Sequence, residues 1–311
     1  GGAAAGSIVF AHNHAELAGT GAWQLPAAYG LVLIALLWDS AWNRWQPAML
    51  CVPAAAAATA TAFAWWREWP LYHMAWAPLA IALAIAASER LWSGGDLVRR
   101  GAWWYVLGLS LAPLAALEEY ESEAWAGAVA FVLSALAWAI GSWRSKGSLG
   151  ELFDLKASVP PRTERHGVAL GAFGLAMISL GFFNLAIELS LAGAGWTYAA
   201  TGAGAIFATC RTHVRVRDWL GPLTVAGLTA FVIGADAAGH HTGELSAMFG
   251  VAAAAFVASG LANRSDNRVI GGFVSAVASA ALAWAWQDWP AWSLSLVYGA
   301  TAAILFFALA P

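Results

Sequence analysis

Apolar residues in this chain gather into runs close to the roughly 20 residues of helix that cross about 30 Å of hydrocarbon. The runs are 23–39, 47–66, 72–88, 102–117, 125–142, 167–187, 196–210, 219–236, 245–262, 269–286 and 292–310. They predict an all-α, polytopic integral membrane protein of about eleven transmembrane helices, since a backbone in lipid must satisfy its own hydrogen bonds. Polar positions between the runs alternate in kind. After odd-numbered runs stand Arg44, Arg90, Arg144, Arg211 and Arg264, reinforced by Arg99, Arg100, Lys146, Arg162, Arg165, Arg215, Arg217 and Arg268. Even-numbered runs are followed by Glu68, then Glu118, Glu119, Glu121 and Glu123, then Glu188, then Asp236 and Glu244, then Asp288. Basic loops stay in the cytoplasm, so the N-terminus is expected outside and the C-terminus inside. Only the first basic loop is nearly balanced, by Asp39.

Helices entered and left on the same side form sequential antiparallel hairpins, with a repeat of roughly 50 residues. Trp66-Arg67-Glu68-Trp69-Pro70 and Trp286-Gln287-Asp288-Trp289-Pro290 match best, at external turns. Duplication of a hairpin explains the match, and so does the general demand of an outside turn for an acid, a Trp and a Pro. The expected organisation is an external segment 1–22, a five-helix bundle 23–143, a cytoplasmic loop 144–166 and a six-helix bundle 167–311. In the loop, Leu149, Leu152, Phe153 and Leu155 would make one apolar stripe of an interfacial helix, or a linker packed on its neighbours. Ser158-Val159-Pro160-Pro161 ends any helix there.

Ala and Gly dominate the runs, so helices are expected to pack closely, with Gly108, Gly174 and Gly272 at contacts. Pro26, Pro53, Pro78, Pro113 and Pro222 fall mostly near predicted ends, where a missing N–H costs least.

Composition agrees with a membrane class: 60% hydrophobic and 11% charged, against roughly 25% charged in soluble domains. A net charge of -3 leaves no basic footprint for nucleic acid. Most of the 20 Trp, including Trp65, Trp66, Trp69, Trp103, Trp104, Trp125, Trp143, Trp286, Trp289 and Trp292, flank the runs as interfacial belts. Cys51 and Cys210 fall at cytoplasmic ends, where disulfides are rare. A start at Gly1-Gly2 without Met and a stop at Pro311 suit a processed product or a piece of a longer chain.

Chemistry is concentrated on the outer face. His12, His14, His240, His241 and Glu244 carry imidazole and carboxylate ligands of the kind that hold Zn²⁺ or Cu²⁺, with Glu16 and Asp236 beside them. The pairs must meet in space to make a site; otherwise they are exposed loop histidines. The run Glu118 to Glu123 suits Ca²⁺ or a basic partner, or is a solvated acidic turn. No phosphate loop, Gly-x-Ser-x-Gly elbow or Cys-x-x-Cys pair occurs. Within the runs ionisable groups are scarce, Asn184 is placed to bond across a helix interface, and His73 is the nearest candidate for a haem or chlorophyll ligand.

Pro78, the Ala/Leu/Ile run that follows, Glu89-Arg90-Leu91 and Gly101 resemble part of the bacterial drug/metabolite transporters. That resemblance is not repeated in the second half; it implies a compact carrier of two five-helix halves, with Glu89 at the boundary of an inner gate. Three functions follow as expectations. A non-catalytic subunit or scaffold of a larger assembly in a plasma (inner) membrane leads, its partners lipids and other membrane subunits. Behind it stand a secondary transporter of a small molecule, and a membrane enzyme acting on lipid or lipid-linked sugar at the outer face.

Overall fold

The computed structural model of the chain describes residues 23–42, 46–92, 95–144, 161–210, 220–239, 241–287 and 289–309. All regular structure among them is helical, with eleven α-helices of 12 residues or more. In chain order the helices are α1 (Gln24–Trp42), α2 (Gln46–Trp66), α3 (Leu71–Met74), α4 (Trp76–Ala87), α5 (Glu89–Trp92), α6 (Asp96–Leu109), α7 (Ala124–Arg144), α8 (Pro161–Ala186), α9 (Leu191–Ala208), α10 (Leu220–Ala238), α11 (Thr242–Asn263), α12 (Asp266–Trp286) and α13 (Ala291–Leu309). Ala124–Gly141 within α7, together with α11 and α12, is long and apolar enough to cross a membrane. Gln24–Ser40, Leu71–Ala87, Leu170–Ala186 and Leu223–Ala238 are shorter apolar helices.

Each apolar run appears as helix, most ends lying within three residues of the expected ones. The exception is instructive. In place of a helix over 102–117, α6 starts at Asp96, stops at Leu109 and gives way to a 3-10 turn at Ala112–Ala116. Val98, Ala102 and Val106 lie at helical spacing and are buried, so the helix extends backwards through charged Arg99 and Arg100. At its other end the buried Ser110 hydroxyl donates to the Val106 carbonyl, and Pro113 brings no backbone N–H. Pro53 lies inside α2 rather than near its end.

The chain divides into two compact units, Gly1–Phe183 and Asn184–Pro311. The division between these units falls inside α8. Residues 168–182 of α8 belong with α7: Val168 and Leu175 enter the buried clusters of the first unit, and the Ser179 hydroxyl donates to Ala128 O at 2.6 Å. Residues 145–160, with the proposed interfacial stripe, lie outside the described residues.

The first unit has two buried clusters strung along α4. Leu79 packs with Tyr120, Phe131 and Leu175; Ile85 and Ala86 pack with Trp92, Trp103, Val106 and Ala137. Phe131 and Phe182 stack at 5.6 Å between centroids and 4° between planes.

In the second unit α9 and α10 run antiparallel with their backbones touching. A Cβ added at Gly195 would lie 2.8 Å from Gly234 O, and one at Gly202 would lie 2.7 Å from Gly227 O. Gly195 pairs with Gly234 and Gly202 with Gly227, so both helices carry the contact every seven residues, two turns. α11 and α12 repeat the arrangement through Gly260 against Val269 and Gly272 against Val257. Of the three glycines expected at contacts, only Gly272 is at one: Gly108 and Gly174 are exposed, with nothing within 4 Å of an added Cβ. They point away from the neighbouring helices.

α2 to α3, α8 to α9 and α12 to α13 are each joined by four residues, 67–70, 187–190 and 287–290. Trp69, Leu189 and Trp289 donate their N–H groups to carbonyls five residues back, Ala64 at 3.0 Å, Asn184 at 3.0 Å and Trp284 at 3.4 Å. Glu68 and Glu188 take the left-handed conformation at φ 54°, as does Arg264 at φ 51° between α11 and α12. This closure satisfies the last carbonyls of a helix and lets the next one start at once.

Candidate functional site

Of the metal candidates, His12, His14 and His240 lie outside the described residues, as does Glu16. His241 is exposed and precedes α11. Glu244, in the first turn of that helix, accepts the indole N–H of Trp196 from α9. Its carboxylate thus joins two helices. Asp236 is exposed, and among the described residues no three His, Cys, Asp or Glu side chains gather within reach of one ion.

The acidic turn is more structured than its charge suggests. Glu118, Glu121 and Glu123 are exposed, but Glu119 Oε2 accepts the backbone N–H of Tyr72 at 3.1 Å. Tyr120 is fully buried and donates its hydroxyl to the Tyr72 carbonyl at 3.2 Å. Both backbone groups of Tyr72 are therefore held by one turn. Burial, and then the neighbouring Glu119 charge, push the Tyr120 phenol up from 10.0 to about 12. Edge contacts with Phe131 and Phe182, near 6 Å, complete its surroundings. His73, next to Tyr72 in sequence, is exposed, and its ring lies 4.2 Å from the Tyr72 ring between centroids.

Polar side chains within the helices meet in pairs. Asn184 Nδ2 donates to Thr197 Oγ1 at 2.8 Å, joining α8 to α9 at the interface the sequence pointed to. Ser246 and Ser279 exchange bonds, each hydroxyl donating to the other's carbonyl, at 2.8 and 2.6 Å. The largest polar group was not foreseen. Arg268, counted only among loop charges, turns inward from the first turn of α12 and donates to Ser259 Oγ at 2.7 Å, Thr209 Oγ1 at 3.2 Å and Thr224 Oγ1 at 2.9 Å. Asn263 Nδ2 adds bonds to Thr209 O at 2.9 Å and Ser259 O at 2.8 Å. One guanidinium thus ties together ends of α9, α10, α11 and α12. A signal was available: Thr209, Thr224 and Ser259 all fall near the helix ends that the charge pattern sets on the side of Arg268.

Glu89, the residue singled out by the carrier resemblance, is exposed at the start of α5. Cys51 is exposed and Cys210 half-buried, both free thiols. Trp65, Trp66, Trp69, Trp104, Trp125, Trp286, Trp289 and Trp292 are exposed. Trp103 departs from this set: it is buried edge-on against Trp92 at 6.1 Å, and a Cβ on Gly141 would meet its ring at 2.8 Å. Comparison with protein-family models, with curated proteins and with solved structures gives no match to this chain.

Proposed function

We propose that this chain is a multi-pass integral membrane protein of about eleven spans, N-terminus outside, that serves as a non-catalytic subunit or scaffold of a larger assembly in a plasma (inner) membrane. The observation that carries the reading is the polarity of the helices. Leu31, Val232 and Val274 are 69%, 68% and 64% exposed, while Gly195, Gly202, Gly227 and Gly234 bring helix backbones into contact. Lipid is the solvent that tolerates such outward faces, and in lipid helices associate through close backbone approach and shared hydrogen bonds. The hydroxyls of Ser246, Ser279, Thr209 and Ser259 are engaged with protein rather than gathered on a reaction path.

Purification in mild detergent without crosslinker tests the proposal. A second membrane protein is expected in fixed ratio. A chain that purifies alone and drives solute uptake into vesicles would overturn it in favour of a carrier. For orientation, cysteine placed at Ser265 should react only with permeant reagents and cysteine at Ser122 with impermeant ones from outside; the reverse would invert the topology.

A further inference from the structure

A cleft of about 690 Å³ opens between α1, α2 and α4 in the first unit. Its walls include Trp23, Ala56, Ala60, Phe63, Trp66 and Trp69. Thr59 alone brings a hydroxyl to the lining, and that hydroxyl is spent on Ala55 O at 2.7 Å. The indole N–H groups of Trp23, Trp66 and Trp69 are the other side-chain donors of an otherwise apolar lining, which suits a hydrocarbon chain better than a polar solute.

Trp66 and Ala56 lie ten positions apart on α2, about 15 Å of helix at 1.5 Å per residue. One leaflet of a hydrocarbon core of about 30 Å has the same depth. A partner helix crossing the bilayer would need twice that length and a groove about 10 Å wide, whereas an acyl chain needs one leaflet. At the Trp66 end the Arg67 guanidinium lies 5.7 Å from the Trp66 ring centroid, and Glu68 follows it in the left-handed turn. A positive and a negative group in sequence, beside interfacial Trp, complement the phosphate and ammonium of a zwitterionic headgroup.

We propose that this cleft is a binding site for one phosphatidylethanolamine-type lipid of the outer leaflet, an acyl chain between α1 and α2 and its headgroup at Arg67 and Glu68. The inference rests on the membrane reading above.

Protein purified in mild detergent from vesicles of equimolar phosphatidylethanolamine and phosphatidylglycerol is weighed intact to count retained lipids. One phosphatidylethanolamine per chain is expected. Ala60→Phe, which sets a phenyl ring where the acyl chain would lie, should lower retention at least about tenfold, the worth of about two buried methylenes. Ala56→Leu, deeper in the cleft, gives a second variant should the first not fold. Glu68→Gln should abolish the preference for phosphatidylethanolamine, since both headgroups carry the phosphate and only one the ammonium, and Val274→Phe, on an exposed face of α12, should change nothing. Retention unaltered by both cleft variants, preferential retention of phosphatidylglycerol, or no retained phospholipid would each overturn the site. Release of the chain from membranes by alkaline extraction would sink the membrane reading instead; a chain that resists extraction yet keeps no lipid sinks only the cleft.

Discussion

Gly202 and Gly204 stand two residues apart on α9 and differ only in what faces them, which makes them a matched test of backbone packing. A Cβ at Gly202 would sit 2.7 Å from Gly227 O, 3.1 Å from the Phe231 ring and 3.3 Å from the Ala230 methyl, whereas one at Gly204 has nothing within 4 Å. Both positions gain helix propensity on changing to Ala, about 0.8–1.0 kcal/mol. At Gly204 that gain stands alone. At Gly202 the carbonyl is backbone and cannot turn aside, so α9 and α10 must separate by several tenths of an ångström and loosen the contacts at Ala199 and Ala230, both fully buried. Overpacking of this kind costs about 1–3 kcal/mol, so Gly202→Ala should destabilise by up to about 2 kcal/mol net and Gly204→Ala should stabilise by up to about 1 kcal/mol. Thermal unfolding followed by circular dichroism in one detergent measures the difference. Gly227→Ala strains the same approach, so the double variant should cost less than the sum of the singles, the helices being already apart. A Gly202→Ala protein as stable as Gly204→Ala, or strict additivity with Gly227→Ala, would refute the reasoning.

The raised Tyr120 phenol makes the fold hold that proton more tightly than the unfolded chain does, so its contribution is whole below pH 10 and lost as pH rises towards 12. Tyr120→Phe should flatten that alkaline decline, read as unfolding midpoints between pH 9 and about 12, at the cost of the bond to Tyr72 O at neutral pH. Arg268→Ala should remove three charge-assisted hydrogen bonds, leaving the Thr209 and Ser259 hydroxyls bonded only to each other and to Ile206 O, a loss of about 2–4 kcal/mol in the same unfolding assay. Glu188→Gly and Arg264→Gly relieve left-handed strain and should each raise stability by about 0.5–1 kcal/mol, while an equal or lower midpoint would show the turns to be unstrained.

Helix number was legible because length and apolarity are local properties, countable along α7, α11 or α12. What failed was direction. Arg268 and Arg264 look alike as loop charges, four residues apart, yet one reaches into the bundle and the other caps α11 in the left-handed region. Gly108, Gly174 and Gly272 are equivalent in an Ala/Gly-rich run, and only the partner helix decides which of them is at a contact. Glu119 was counted with Glu118 and Glu121 as a solvated acid, but a hydrogen bond to Tyr72, 47 residues away, is not written in its neighbours. Asn184 was readable because a lone amide in an apolar run needs a partner, and the next helix supplies Thr197.

The hairpin of α11 and α12 has a kinetic consequence. Its link is Arg264-Ser265 alone, and its contacts climb away from that link in order: Gly260 with Val269, Val257 with Gly272, Ser246 with Ser279, Gly243 with Trp286. Each contact shortens the loop that the next must close, so little entropy is lost at any step. Such a ladder assembles like a zipper from one end, and its closing rate depends on sequence separation near the turn rather than on the strength of the distant bonds. Loosening the turn should therefore slow assembly of the pair, whereas loss of the Ser279 hydroxyl should chiefly hasten its opening.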